Sequence, residues 1–412
     1  MSTRVVVTGM GTINPLGHNL NETWTNLING LAGVGPLTRF EPSDLNIKVA
    51  CEVKDFDPEA TLGSKEARRR DRFQQFAYLA AQEALAQSGL QITDNNPERI
   101  GSIISSSGGG LGTVEESFLT LIERGPRAMN PFTTPKYMSS GAAGLTSIDF
   151  QLRGPSFSVE SACASASDGI GVAWLMIRSG LIDAAVTGGS DASIVHMSVA
   201  ALDRSGAMSR REGPYPQAPQ PFDLNRDGFV IGEGAGVLVL ESEEHARERG
   251  AQILAELAGY GTSADAFHIT APLEDGAGAA RAMSEALKIA NIPTDMVDHI
   301  NSHGTGTKLN DISETVAIKS LFGKRAYDIP ISATKSMTGH IMGSTAAVEA
   351  IFTIQSIRNN IVPPTIHYNT PDPECDLDYV PNEAREAQVE VAISNAFGFG
   401  GHNSVLAFRN YH

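Results

Sequence analysis

Val159-Glu160-Ser161-Ala162-Cys163-Ala164-Ser165-Ala166-Ser167-Asp168-Gly169 is the stretch on which the reading of this chain turns. Extended backbone is expected over residues 156–159, and an apolar helical run over 170–177. That order puts Cys163 at a strand-to-helix turn, among small neighbours that leave room for a substrate. A helix N-terminus offers free N–H groups and partial positive charge, both of which favour thiolate over thiol. Taken alone, the same residue also reads as an inert buried thiol, the commoner role of an intracellular cysteine.

Two further segments weigh against the inert reading. Asn301-Ser302-His303-Gly304-Thr305-Gly306-Thr307-Lys308-Leu309-Asn310-Asp311 and Ser332-Ala333-Thr334-Lys335-Ser336-Met337-Thr338-Gly339-His340-Ile341-Met342-Gly343 each set a histidine in a turn rich in Gly, Thr and Ser. Short β-like runs, 298–300 and 329–332, precede them. Small residues around an imidazole let a ligand approach, whereas a core histidine has bulky apolar neighbours. Either histidine alone leaves a structural role open. One cysteine and two such histidines on three loops form a much rarer constellation.

The rest of the chain sets the frame. Its 412 residues suggest two or three domain-sized units. With 41% hydrophobic and 19% charged residues it reads as an ordinary soluble protein, with no membrane-spanning run and no signal-peptide pattern. Three scattered cysteines (Cys51, Cys163, Cys375) are no disulfide framework and point to a reducing compartment, cytoplasmic or like a plastid stroma. No Cys-x-x-Cys or His-x-x-x-His spacing suggests a metal. A formal net charge of −16 argues against nucleic acid as a partner.

One basic stretch breaks the acidic average: Ser64-Lys65-Glu66-Ala67-Arg68-Arg69-Arg70-Asp71-Arg72. Ser64 is expected to cap a helix over 64–88, along which Lys65, Arg68, Arg69 and Arg72 line one stripe. Such a stripe is either a solvated face or a dock for an acidic partner.

Strands are expected at 5–8, 100–104, 184–187, 237–241, 253–260, 330–333, 389–394 and 404–408, alternating with helices at 64–88, 170–179, 277–290, 311–322 and 344–359. That alternation reads as α/β with buried sheets. Laying Cys163 on His340 without gaps matches Ala173 to Ala350, Ile177 to Ile354 and Ser179 to Ser356, a faint internal repeat. Gly9-Met10-Gly11 after the first strand is a dinucleotide-like turn, but Asn14 stands where the third glycine is needed.

These residues resemble the β-ketoacyl-acyl-carrier-protein synthases, condensing enzymes of the thiolase superfamily, and most of all the synthase II type. Ser-Ala-Cys-Ala-Ser (161–165), His-Gly-Thr-Gly-Thr (303–307), Thr-Lys-Ser-Met-Thr-Gly-His (334–340) and Gly-Phe-Gly-Gly-His-Asn (398–403) occur in the family's order, and the likeness spans essentially the whole chain. The resemblance implies a thiolase-like α/β fold, two similar halves packed as a five-layer αβαβα sandwich. Residues 1–250 would carry Cys163, residues 251–412 would carry His303 and His340, and the join would fall near 244–252.

By the same resemblance Cys163 takes the acyl group, and His303 and His340 stabilise the enolate formed when a malonyl thioester loses CO₂. The backbone N–H groups of Cys163 and Phe399 form the oxyanion hole, and Phe399 gates the acyl pocket. Thr305 and Thr307 bind pantetheine, while Lys335 and Glu349 support as a buried pair. No cofactor is implied beyond the phosphopantetheine arm of acyl-carrier protein. That carrier would dock on Lys65, Arg68, Arg69 and Arg72, and the enzyme would be a homodimer paired through the strand near 156–160.

Gly108 and Thr133 depart from the branched Ile and the Phe common in synthase II enzymes. They predict a wider acyl pocket unless neighbouring side chains refill it. A polyketide ketosynthase is the nearest rival, and the chain reads as a free-standing condensing unit without flanking linker or acyltransferase. A degradative thiolase would carry a second cysteine where His402 stands. A Cys–His hydrolase has no need of the second histidine loop, and a chain-length-factor-like partner would have lost its nucleophile.

Overall fold

A computed structural model describes residues 3–93, 96–212 and 217–412. Ten segments form one continuous sheet: β1 (Val5–Ile13), β2 (Ile100–Ser105), β3 (Ser156–Phe157), β4 (Ala184–Asp191), β5 (Gly234–Ser242), β6 (Ala255–Ala264), β7 (His299–Asn301), β8 (Ile331–Ser332), β9 (Val391–Gly398) and β10 (His402–Arg409). Their spatial order is β3-β2-β4-β5-β1-β6-β10-β9-β7-β8. Read inward from each edge, both halves run third, second, fourth, fifth, first. Directions repeat too. The two outer pairings of each half are parallel and the two inner ones antiparallel. The halves join where β1 meets β6 at Val6–Glu256 and Val7–Ala255.

Helices α1 (Arg72–Ser88), α3 (Ser165–Arg178), α4 (Ala277–Ala290), α5 (Lys308–Phe322) and α6 (Thr345–Asn359) pack on this sheet, while α2 (Leu111–Arg124) keeps most of its apolar residues exposed. Strand alternation sorts them into layers, because successive side chains point to opposite faces. Val237 and Val239 of β5 pack with Phe73, Phe76 and Ala80 of α1. Leu238 and Leu240 face the other way, into a core with Ile170 and Trp174 of α3 and Ile351 of α6. In the second half Leu406 and Phe408 of β10 enter that same central core. Val405 and Ala407 turn outward to Met283 of α4 and Ile318 of α5. The result is a five-layer αβαβα sandwich, as the resemblance implied, with α3 and α6 enclosed between the two halves of the sheet. Fully burying one such Leu or Ile stabilises by about 1.5–3 kcal/mol, which makes this central layer the best-anchored part of the molecule.

The Gly-x-Gly turn has a packing explanation. A Cβ on Gly9 or Gly11 would lie 2.0 or 2.1 Å from the carbonyl oxygens of Ala84 and Ala80, so α1 rests directly on β1. Gly259 and Gly261 do the same for α4 against β6, at 2.1 Å from the carbonyls of Ala286 and Ala282.

Two expectations need correction. The helix over 64–88 is broken: Ser64–Arg69 ends at Arg70, which is extended (φ −116°, ψ 143°), and α1 starts afresh. Asp71 caps α1 reciprocally with Gln74, and that local capping box overrides continuity. Ser64 is not the cap either. Gly63 holds that position, and the Ser64 hydroxyl donates to Glu59 at 2.6 Å. The internal repeat is real in topology but shifted by three residues. The single turn Ala162–Ala164 before α3 corresponds to Met342–Ser344 before α6, and both open on a non-glycine residue with positive φ, Ala162 (51°) and Met342 (47°). Cys163 therefore aligns with Gly343, not His340. A three-residue slip is nearly one helical turn, so it keeps apolar faces roughly in phase and hides from sequence matching.

Candidate active site

The turn carrying Cys163 is held from several sides. Ser161 N–H donates to Ser165 Oγ at 2.9 Å, and that hydroxyl donates to the Ala162 carbonyl at 2.7 Å. Asp168 accepts from the Ser161 hydroxyl and, at 2.8 Å, from Tyr260 Oη of the other half. Ala162 sits in a backbone region that non-glycine residues avoid, a strain the surrounding contacts must hold. Gly398 of β9 passes so close that a Cβ there would lie 2.8 Å from the Ser161 carbonyl and 3.0 Å from the Cys163 nitrogen.

Cys163 is buried, and burial pushes its thiol up to about 11. The backbone N–H groups of Phe399 and Cys163 and the charge of Lys335 pull the other way without prevailing. Desolvation therefore outweighs the helix terminus, and the resting residue at neutral pH is a thiol rather than the thiolate its sequence position suggests. Both N–H groups expected to form an oxyanion hole lie near enough to the sulfur to favour its thiolate.

His303 leaves the end of β7. Its own N–H and that of Gly304 each donate to one oxygen of Glu314, both at 2.8 Å. The N–H of His340 donates to the Val230 carbonyl at 2.7 Å, and its Nδ1 lies 3.0 Å from Thr345 Oγ1 at the start of α6. The two rings stand edge to face with centroids 5.6 Å apart. Burial first, then the Lys335 charge, holds both imidazoles below the usual range, His340 down to about 3. Both are neutral at physiological pH. His303 Nδ1 is buried without a hydrogen-bond partner among the described residues.

Lys335 and Glu349 do form a buried pair, with Nζ 2.7 and 2.9 Å from the two carboxylate oxygens, and Thr334 Oγ1 donates to the same group at 3.2 Å. Burial raises the Glu349 carboxyl to about 7 against the pull of Lys335. Glu314 is the site residue that sequence reasoning missed. It is buried, takes a third bond from Asn395 Nδ2 at 3.0 Å, and fixes the His303 turn. The available signal was two acids three apart on α5, Asp311 and Glu314, directly after the histidine motif. Asp311 accepts the Phe222 N–H at 2.8 Å and the Gly306 N–H at 3.3 Å.

Cys163, His303 and His340 meet in one cavity of about 810 Å³, whose wall includes Phe397, Phe399, Thr305, Thr307 and Met342. The hydroxyls of Thr305 and Thr307 are 3.0 Å apart. Gly108 and Thr133 are not in this wall. Leu111 fills the space beside Gly108, where a Cβ would lie 2.9 Å from its Cδ1, and Thr133 bonds Ser117 at 3.3 Å. The basic stripe also shrinks. Lys65, Arg68 and Arg69 are exposed, whereas Arg72 turns inward to Glu233, at 2.7 and 2.9 Å, because the helix break reorients it. No cluster of three or more His, Cys, Asp or Glu able to hold a metal occurs among the described residues.

Comparison with known proteins agrees over the whole chain. Residues 2–246 match the family model of the β-ketoacyl synthase N-terminal domain, and residues 254–369 that of its C-terminal domain. The 3-oxoacyl-[acyl-carrier-protein] synthases 2 of Synechocystis sp. and Staphylococcus aureus are each 46% identical over 408 residues, covering 99% of this chain and 98% of theirs. Among solved structures, the ishigamide ketosynthase/chain length factor is similar with a TM-score of 0.93 at 36% identity, and a β-ketoacyl synthase from Burkholderia phymatum with 0.91 at 35%. A type II polyketide ketosynthase in complex with its acyl-carrier protein gives 0.92 at 35%. All three cover 100% of both chains.

Proposed function

The chain belongs to the β-ketoacyl synthase family as a condensing enzyme of the 3-oxoacyl-[acyl-carrier-protein] synthase 2 kind, and from that premise we propose how its residues divide the reaction. The Cys163 thiol takes an acyl group from the pantetheine thioester of acyl-carrier protein, and the thiol proton leaves with the freed carrier. Malonyl-carrier protein then enters and loses CO₂, and the enolate oxygen accepts N–H bonds from the neutral imidazoles of His303 and His340. We assign the tautomer in which Thr345 Oγ1, 3.0 Å from His340 Nδ1, donates to it, so that the His340 proton sits on Nε2 and is free to donate. The enolate carbon attacks the Cys163 thioester. The tetrahedral oxygen accepts the N–H groups of Cys163 and Phe399. Collapse releases a 3-oxoacyl-carrier protein two carbons longer and expels the Cys163 sulfur as thiolate, which takes a proton from water to restore the thiol. Lys335, paired with Glu349, supplies positive potential beside both histidines. Thr305 and Thr307 bind the pantetheine amides, Phe399 gates the acyl end, and no cofactor enters these steps.

The observation that carries this reading is the meeting of one thiol, two uncharged imidazoles and the Phe399 N–H in a single cavity. Incubation with acyl- and malonyl-carrier protein should yield the 3-oxoacyl product. Hydrolysis alone, or cleavage that needs coenzyme A, would overturn it. The polyketide alternative draws on the structural neighbours, but 35–36% identity there against 46% to the synthase 2 relatives favours fatty-acyl elongation.

Carrier protein would dock on the exposed part of the basic stripe. Reversing charge at Arg68 and Arg69 should raise the apparent KM for carrier-bound substrate several-fold and flatten its salt dependence. Activity on a small pantetheine thioester should stay within about twofold. Equal losses on both substrates would argue against docking there.

A homodimer paired along the edge strand β3 is the assembly we favour, with residues 1–250 and 251–412 as the two halves of each protomer. Helix α2 leaves Phe118 and Ile122 more than 60% exposed, an apolar surface a monomer seldom keeps open. Sedimentation at the mass of one chain would refute it. A reducing, cytoplasm-like setting fits the three buried free thiols. No helix among the described residues is long and apolar enough to cross a membrane.

A further inference from the structure

Asp191, the last residue of β4, is a fully buried carboxylate with no ion-pair partner among the described residues. It stands between turns from the two halves. On one side Oδ1 accepts the Ser106 hydroxyl at 2.8 Å, the Ser107 N–H at 3.2 Å, the Ser107 hydroxyl at 3.3 Å and the Gly108 N–H at 3.3 Å. On the other, Oδ2 accepts the Ser344 N–H at 2.9 Å. The Ser107 hydroxyl adds a second tie, because its oxygen accepts the Gly343 N–H at 3.1 Å. Burial raises the Asp191 carboxyl to about 7, and the Ser106 hydroxyl and the Ser107, Gly108 and Ser344 N–H groups pull it back. The three N–H groups can only donate, so whichever its charge Asp191 serves these turns as an acceptor.

The turn so held connects His340 to α6. It contains Met342 at φ 47°, a conformation that persists only where neighbours over-determine it. The next residue, Thr345, places its hydroxyl against His340 Nδ1. A turn free to relax would move Thr345 and rotate the imidazole. We propose that Asp191 is a positioning residue for His340, tying the Ser106–Ser107–Gly108 turn of one half to the Met342–Ser344 turn of the other so that the imidazole N–H stays aimed at the enolate oxygen. This rests on the reading of His340 as an enolate donor.

The test is Asp191→Asn, nearly isosteric. Its amide must turn an NH₂ toward either Ser344 N–H or the Ser107 and Gly108 N–H groups, so one tie is lost in either orientation. Malonyl-carrier decarboxylation and condensation should both fall at least about tenfold in kcat, with KM unchanged within about twofold. Alkylation of Cys163 by iodoacetamide at fixed pH should be as fast as in the parent or faster. The Asp191 charge opposes thiolate formation, and the Lys335 charge that favours it remains. Ser107→Ala, which removes the second tie, to the Gly343 N–H, should also lower kcat. Parent-like kcat in Asp191→Asn overturns the proposal. A parallel fall in kcat and in Cys163 alkylation also overturns it, because that pattern marks general loosening. His340→Ala in the same decarboxylation assay separates the two levels: no loss there sinks the enolate-donor reading itself.

Discussion

Replacing Cys163 with Ala should abolish both condensation and the acyl adduct that intact-protein mass spectrometry detects, whereas Cys51→Ala and Cys375→Ala should leave the adduct in place. All three thiols are buried, so burial does not separate them. Surroundings do. Cys375 is held up to about 12 by burial and lies outside the cavity wall, and Cys51 packs behind Gly339 with its thiol pushed higher still. Of the three, Cys163 alone lines the cavity, and the Phe399 and Cys163 N–H groups favour its thiolate. With its pKa near 11, about one molecule in ten thousand is thiolate at pH 7. Acyl transfer should therefore quicken as pH rises through the neutral range. Cys163→Gln should keep decarboxylating malonyl-carrier protein, since the histidines are untouched. An acyl mass shift persisting in Cys163→Ala would end the assignment.

The site was more legible in the sequence than its supports. Cys163, His303 and His340 each announce themselves locally, by a reactive side chain among small residues, and all three reach one cavity. Glu314 does not, because its function is to accept two N–H groups of a turn eleven residues earlier, and only the fold creates that contact. The same holds for Asp191, whose donors come from residues 106–108 and 344.

Helix α2 went unread because its apolar residues do not enter this chain's core: Phe118, Leu119 and Ile122 face outward. Arg72 fits the basic stripe by spacing alone, but helical phase carries over only while the helix continues, and Asp71 restarts it. The acyl pocket shows a third limit. Glycine at 108 removes volume on paper, and Leu111 occupies that volume in space. Periodicity and small-residue turns survive without tertiary information. Long-range acceptors and refilled space do not.

Replacing either His303 or His340 with Ala should slow malonyl-carrier decarboxylation by at least about a hundredfold, the usual cost of losing one donor aimed at a developing oxyanion. The two variants should differ in the other half-reaction. Self-acylation of Cys163 relies on the N–H groups of Cys163 and Phe399, so it should fall less, and least in His303→Ala. The pH dependence follows from the burial of both rings. His340 stays neutral down to about pH 3, and His303 is likewise held well below the ordinary histidine value. A neutral imidazole keeps its N–H donor above its pKa and changes only when pH falls through it. Decarboxylation should therefore show no inflection from these residues between about pH 5 and 8. Were imidazolium the donor, activity would decline as pH rose through 6 to 7. Such a decline, present in the parent and absent from both variants, would contradict the neutral pair. Unchanged decarboxylation in both alanine variants would remove the histidines from the mechanism altogether.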